Sequence, residues 1–163
     1  MRASAAVALV LALALLAASC GSLTKNTAEP SVTPAEASTA SAYDDAILAL
    51  VNAHRQSIGR VPLAKSQPIW MQANQHSRNM AAGAVAFGHD GFDARSSAIF
   101  AALGSAGTVS ENVATGQTSA ESVVAGWLTS PTHKANIESS ATRTGVSAVQ
   151  SAAGVWYYTQ IFY

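Results

Sequence analysis

The chain of 163 residues contains one cysteine, Cys20, so no disulfide can form within it and any domain must be held by its apolar core. Charge is also scarce: nine Lys and Arg balance nine Asp and Glu, together 11% of the residues. Nucleic-acid affinity is dominated by neutralisation of phosphates, and a chain without a basic surplus or a basic cluster is excluded from that class. Long-range steering of a charged partner is excluded on the same ground. No aromatic residue precedes Tyr43, so the first part of the chain lacks the large side chains on which a core is built. The longest apolar run, Ala5–Ala18, has 14 residues, whereas a membrane-spanning helix needs ~20.

What the first 42 residues do contain reads as export machinery. Arg2, the apolar run and the small residues Ala17-Ala18-Ser19 make a secretory signal over residues 1–19. Cys20 follows directly, and Leu16-Ala17-Ala18-Ser19-Cys20 resembles a bacterial lipobox, in which the cysteine thiol carries lipid; Ala17 stands where a larger aliphatic residue is usual. A lipoprotein with two or more acyl chains stays on a membrane surface, so the expected location is the outer face of the bacterial membrane, with simple secretion as the alternative. Residues 20–42 are then a lipidated cysteine and a Ser, Thr, Ala and Pro tether with nothing to offset the entropy of ordering.

Residues 43–163 form the remaining domain, of a size that buries one core without disulfides. Apolar residues at Ile47, Leu50, Val51 and Ile58 predict a helix from Asp44 to Ile58, stopped by Gly59. Val61-Pro62-Leu63 is a short extended link. A second helix is expected over Pro68–Ala82, with Ile69, Ala73 and Met80 on one face, and a glycine-punctuated loop over Ala84–Ala94. A short helix from Arg95 to Leu103 follows. Val109–Ala114 reads as a strand sending Glu111 and Val113 to one face and Asn112 and Ala114 to the other. Thr118-Ser119-Ala120-Glu121 has the form of a capping box for a helix through Leu128. Ser130-Pro131 opens one more short helix. Thr144–Val149 and Val155–Phe162 make a terminal hairpin. This order predicts an α+β domain, with helices flanking a small antiparallel sheet.

Of the four histidines, His54 and His76 continue apolar helix faces and read as packed side chains with hydrogen-bond partners. His89 stands in the loop Phe87-Gly88-His89-Asp90, where no core stripe claims it. His133 lies in the first turn of the Ser130-Pro131 helix, where the positive helix end favours a neutral imidazole. Asn112 and Asn136 are suited to tying backbone, Gly145 to close backbone packing, and Gln160 is a candidate ligand contact on the last strand.

The segments Phe87-Gly88-His89-Asp90, Glu111-Asn112-Val113-Ala114 and Ser130-Pro131-Thr132-His133-Lys134-Ala135-Asn136-Ile137, in this order, resemble the CAP/SCP superfamily of secreted proteins, in its bacterial, cysteine-poor branch. The resemblance covers roughly Tyr43 to Tyr163, and it implies a three-layer α-β-α sandwich. It also implies that His89, His133 and Glu111 share a cleft that binds a divalent metal in some members. Ser110 replaces the glycine usual before Glu111, and Ser130 replaces a second acidic residue found in many eukaryotic members. Asn112 and Ser130 complete the expected cleft. Two imidazoles and a carboxylate suit Zn²⁺ with a water in the fourth place; alternatively the three form a hydrogen-bonded cluster without metal.

Two readings of function follow. In one, the domain binds a small apolar molecule or a cell-envelope component without chemistry. In the other it is a metal-assisted hydrolase of peptide or envelope substrate with Glu111 as general base. A serine nucleophile at Ser130, with His133 and Glu111, has the residue types of a triad, but Gly-x-Ser-x-Gly and His-Glu-x-x-His motifs are both missing.

Overall fold

The computed structural model describes the backbone of residues 34–163 and the side chains of residues 42–163. The expected signal 1–19, Cys20 and residues 21–33 of the tether lie outside the described residues. The first helix, α1 (Pro34–Ser57), starts inside the segment expected to be unstructured. Pro34 at its start and the helix formers Ala35, Glu36 and Ala37 account for the extension. At the other end Arg60 N–H reaches Arg55 O at 2.8 Å around Gly59, whose φ is 76°, a Schellman-type stop. The helix therefore ends before Ile58, which is 45% exposed rather than on the apolar face. Ile47, Leu48 and Val51 are the buried stripe.

Strand β1 (Ala64–Lys65) pairs parallel with β3 (Arg143–Gln150), so the sheet is mixed rather than purely antiparallel. Two residues carry no alternation that a sequence could show. The pairing is set by Ala64 N–H to Thr142 O and Ser66 N–H to Thr144 O, both 2.9 Å. Helix α2 (Gln67–Ala81) follows at once, with a proline in its first turn. Helix α3 (Phe92–Leu103) begins three residues before Arg95, because Gly91 turns the chain in a left-handed conformation and Asp93 suits the positive helix end. Strand β2 (Ser110–Thr115), helix α4 (Ala120–Thr129), helix α5 (Pro131–Ile137) and strand β4 (Trp156–Phe162) complete the order. The sheet runs β1-β3-β4-β2, and β2 is an outer strand paired antiparallel with β4.

The helices lie in two layers. A larger apolar cluster joins Ile47, Leu48 and Val51 of α1 with Val123, Val124 and Trp127 of α4, Ile137 of α5, and Val146, Ala148, Tyr158 and Phe162 of the sheet. A smaller one joins Ile69 and Ala73 of α2 with Ile99 of α3 and Ile161 of β4. On this second side α2 comes so near that a Cβ on Gly145 would lie 2.2 Å from Trp70 N and 2.4 Å from its Cα. Only glycine fits there.

Three polar groups tie α1 to its neighbours. Asp44 of α1 accepts from Ala148 N–H of β3 at 2.7 Å and from Trp70 Nε1 of α2 at 2.9 Å. Burial pushes its carboxyl up to about 7, against the opposing pull of those two bonds. Arg55, 1% exposed, has no carboxylate partner among the described residues; its guanidinium donates to the carbonyls of Val61, Ile137, Ser139 and Ala141 at 2.6–3.1 Å. His54 Nε2 meets Glu138 Oε1 at 2.8 Å beyond the end of α5.

The caps differ from the sequence pattern by one residue. Ser119, not Thr118, is the N-cap of α4, and it exchanges bonds with Ser122 rather than Glu121. Ser130 is the N-cap of α5 by conformation, with no side-chain cap bond.

Candidate functional site

Because β2 is an outer strand, its alternating side chains reach both helical layers around one edge. Glu111 and Asn112, neighbours in sequence, therefore engage different elements. Asn112 Nδ2 donates to His133 O of α5 at 3.0 Å, and Asn136 Nδ2 donates to Asn112 Oδ1 at 2.8 Å and to Glu111 O at 3.3 Å. With Trp127 Nε1 on Val113 O at 3.1 Å, these side chains satisfy β2 carbonyls that no further strand pairs, which blunts the edge. Both asparagines thus tie backbone, as the sequence suggests.

Glu111 points the other way and is sealed. Its side chain is 1% exposed. Oε1 accepts from His89 Nδ1 at 2.9 Å and from Arg95 Nη2 at 2.8 Å, while Oε2 accepts from Arg95 Nε at 2.8 Å. The guanidinium also donates from Nη1 to Asp90 O at 2.7 Å. A carboxylate in such a bidentate, charge-assisted fork is strongly held. His89 is the open member, its side chain 51% exposed, and Phe87, two residues earlier in the same loop, is exposed as well.

His76 does not lie apart from this group. It is 1% exposed, holds Gly88 O from Nε2 at 2.8 Å, and that same nitrogen stands 4.0 Å from Glu111 Oε1. Burial is the main cause that lowers its pKa, with the Arg95 charge adding to it and Gly88 and Glu111 opposing. The sequence places His76 correctly on the packed face of α2 but cannot say what lies across from it. His133, half-buried, is also held below the usual imidazole range, first by burial and then by the charge of His89. The neutral form is favoured as expected, though burial rather than the helix end causes it.

Gln160 does not line this edge. It is fully buried in the sheet, with Nε2 on Thr144 Oγ1 at 3.2 Å and no partner for Oε1 among the described residues. The residue that sequence reading missed is Arg95. It sits four positions before the buried Ile99, so a charge on the packed stripe of α3 was the available signal, since such a charge is buried only with a partner.

Among the described residues no three His, Cys, Asp or Glu side chains are placed to hold a metal ion together. The donor chemistry agrees: both oxygens of Glu111 are taken, and His76 Nε2 is committed to a carbonyl. A set of His89, His133 and Glu111 as metal ligands does not fit this arrangement.

Three solved structures share the fold. An outer surface protein of Borrelia burgdorferi matches with a TM-score of 0.63 and 16% identity, over 74% of this chain and 91% of that one. An extracellular protein of Bacillus anthracis containing an SCP domain matches at 0.65 and 23%, over 82% and 44%. A cysteine-rich secretory protein of Staphylococcus aureus matches at 0.61 and 18%, over 76% and 38%. The chain spans less than half the length of the last two. No curated protein matches it. Residues 48–162 match the family described as the cysteine-rich secretory protein family, CAP, and with α-β-α layers and the His89, Glu111 and His133 segments at one strand edge, the chain belongs to that family.

Proposed function

We propose that this chain is an exported CAP domain, anchored through Cys20 to the outer face of a bacterial membrane, that binds a small apolar or cell-envelope ligand at the β2 edge and does no chemistry on it. The supporting observation is the state of Glu111. A general base needs a lone pair within reach of the proton it abstracts, and this carboxylate is 1% exposed with both oxygens in a guanidinium fork. His89 and Phe87 present an imidazole and an aromatic ring to solvent. A few polar groups beside apolar contact area are the usual make-up of a binding site. The surface location named for the Borrelia structure is compatible with the anchoring part, which rests on the Leu16–Cys20 segment.

The test pairs the purified chain with peptide, ester and peptidoglycan substrates, with and without Zn²⁺, and in parallel with fatty acids and envelope fragments as binding probes. Binding without turnover is expected. Turnover that is lost in Glu111→Gln but kept in the surface variant Lys65→Ala would replace this reading with the metal-assisted hydrolase. For the anchor, wild type should partition into detergent and Cys20→Ser should not; equal release of both into the medium would refute it.

A further inference from the structure

We propose that Arg95 is a resident cation at Glu111: a positioning residue that neutralises the carboxylate, fixes the loop carrying His89, and keeps Glu111 out of the coordination shell of any metal ion. The guanidinium spends every face on this task. Nε and Nη2 take the two carboxylate oxygens at 2.8 Å each, Nη1 takes Asp90 O at 2.7 Å, and Nη2 also leans on His89 O at 3.4 Å. The pair is shut away from water, with side chains 11% and 1% exposed. An ion approaching Glu111 would have to displace the fork and then sit beside an unpaired positive charge in a poorly solvated place, where like charges repel strongly.

The same clamp sets the imidazole. Since Nδ1 of His89 faces a carboxylate oxygen at 2.9 Å, that nitrogen carries the proton, and in the neutral ring Nε2 is left as the lone-pair nitrogen. Arg95 thus acts on the β2 edge at one remove: it holds Glu111, Glu111 holds His89, and His89 offers Nε2 outward. A carboxylate and a guanidinium acting together define the ring's orientation without an ion. This inference shares with the proposed binding role only the sealed Glu111, and it stands whatever the cleft takes.

The test uses the full chain in detergent and Zn²⁺ alone as probe. In wild type, the carboxyl-carbon NMR signal of Glu111, assigned by its loss in Glu111→Gln, should stay in place through excess zinc. Arg95→Met should raise zinc affinity by about tenfold or more, and the gain should vanish in Arg95→Met with Glu111→Gln, because a freed carboxylate is the ligand gained. A Glu111 signal that moves with zinc in wild type would overturn the inference, and so would a folded Arg95→Met with no gain. If Arg95→Met does not fold, the wild-type spectrum decides alone. Zinc on Glu111 without turnover would end this inference and leave the binding role, while turnover with an unmoved Glu111 would do the reverse.

Discussion

The two faces of the sheet are built on different principles. Toward α1, α4 and α5 the sheet buries Trp127, Tyr158, Phe162 and a continuous aliphatic cluster. Toward α2 and α3 the apolar cluster shrinks to Ile69, Ala73, Ile99 and Ile161. That face also carries buried polar contacts: Ser77 Oγ bonds Thr159 Oγ1 at 2.8 Å, Asn74 bonds Ser147 Oγ at 2.9 Å, and Glu111 is closed by Arg95 and His89. Burial of apolar area stabilises in proportion to its extent, so most of the stability belongs to the first face. A satisfied polar network contributes less but fixes geometry, so the second face is where side chains with chemistry can be held in place. A domain without disulfides can carry such a face because the other supplies the core.

Breaking each face should therefore cost differently in kind. Gly145→Ala attacks the second face, where the added Cβ meets α2 backbone at 2.2–2.5 Å rather than a side chain that could rotate away. The ordinary overpacking cost of about 1–3 kcal/mol should be exceeded, and the variant should fail to give a cooperative melt. Trp127→Ala attacks the first face and removes a large buried side chain, 2% exposed, together with its bond to Val113 O. A loss of about 3–5 kcal/mol is expected, with the fold retained at low temperature. Denaturant melts of both variants check the contrast. A Gly145→Ala protein as stable as wild type would mean that α2 is not seated on β3 as described.

The faces should also respond to pH with opposite sign. Asp44 has its carboxyl raised from 3.8 to about 7 by burial. Its contribution to stability is fully present below pH ~4, falls as pH rises from there to about 7, and is level above that. His76, on the other side, has its pKa lowered from 6.5 by burial, so its contribution is present above pH 6.5 and is lost as pH falls. Asp44→Asn should flatten the decline toward neutral pH, and His76→Gln should flatten the loss on the acid side. Urea midpoints at several pH values measure both. Identical pH profiles for Asp44→Asn and wild type would remove Asp44 as the source of the first slope.

Legibility in the sequence follows the same division. Elements on the apolar face repeat every two or three to four residues, and the pattern located α4, β3, β4 and the packed part of α1 to within a residue or two. Lone positions with strong local chemistry were also readable: Gly145 as a point of close approach, Asn112 and Asn136 as backbone ties, His89 as a loop residue free of the core. The parts that escaped depend on contacts between distant segments. Two residues pairing with β3 make β1, and nothing local marks them. Arg95, His76 and Glu111 are separated by 16 or more positions along the chain, and only the fold turns three separate side chains into one network. Asp44 and Arg55 carry no local mark of burial. Their burial depends on Trp70 and Ala148 in one case and on four carbonyls beyond α1 in the other.

The smallest effect tests how far local chemistry alone acts on the apolar face. Two serines there look equivalent in sequence, each preceding a helix. Ser119 Oγ accepts from Ser122 N–H at 3.2 Å, and Ser122 Oγ reaches back to Ser119 N at 3.3 Å. Ser130 makes no side-chain cap bond, and the chain there is already set by Pro131, whose ring fixes φ and whose missing N–H needs no acceptor. Ser119→Ala should therefore cost about 1 kcal/mol, the usual value of a lost N-cap, while Ser130→Ala should lie within about 0.5 kcal/mol of wild type. Thr118→Ala and Glu121→Ala, the pair that the sequence pattern favoured as the capping box, should each do less than Ser119→Ala. Chemical denaturation of the four variants ranks them directly. If Glu121→Ala proved the costliest, the box would have the register read from the sequence, and the start of α4 would shift by one residue against Tyr43, whose hydroxyl donates to Thr118 O.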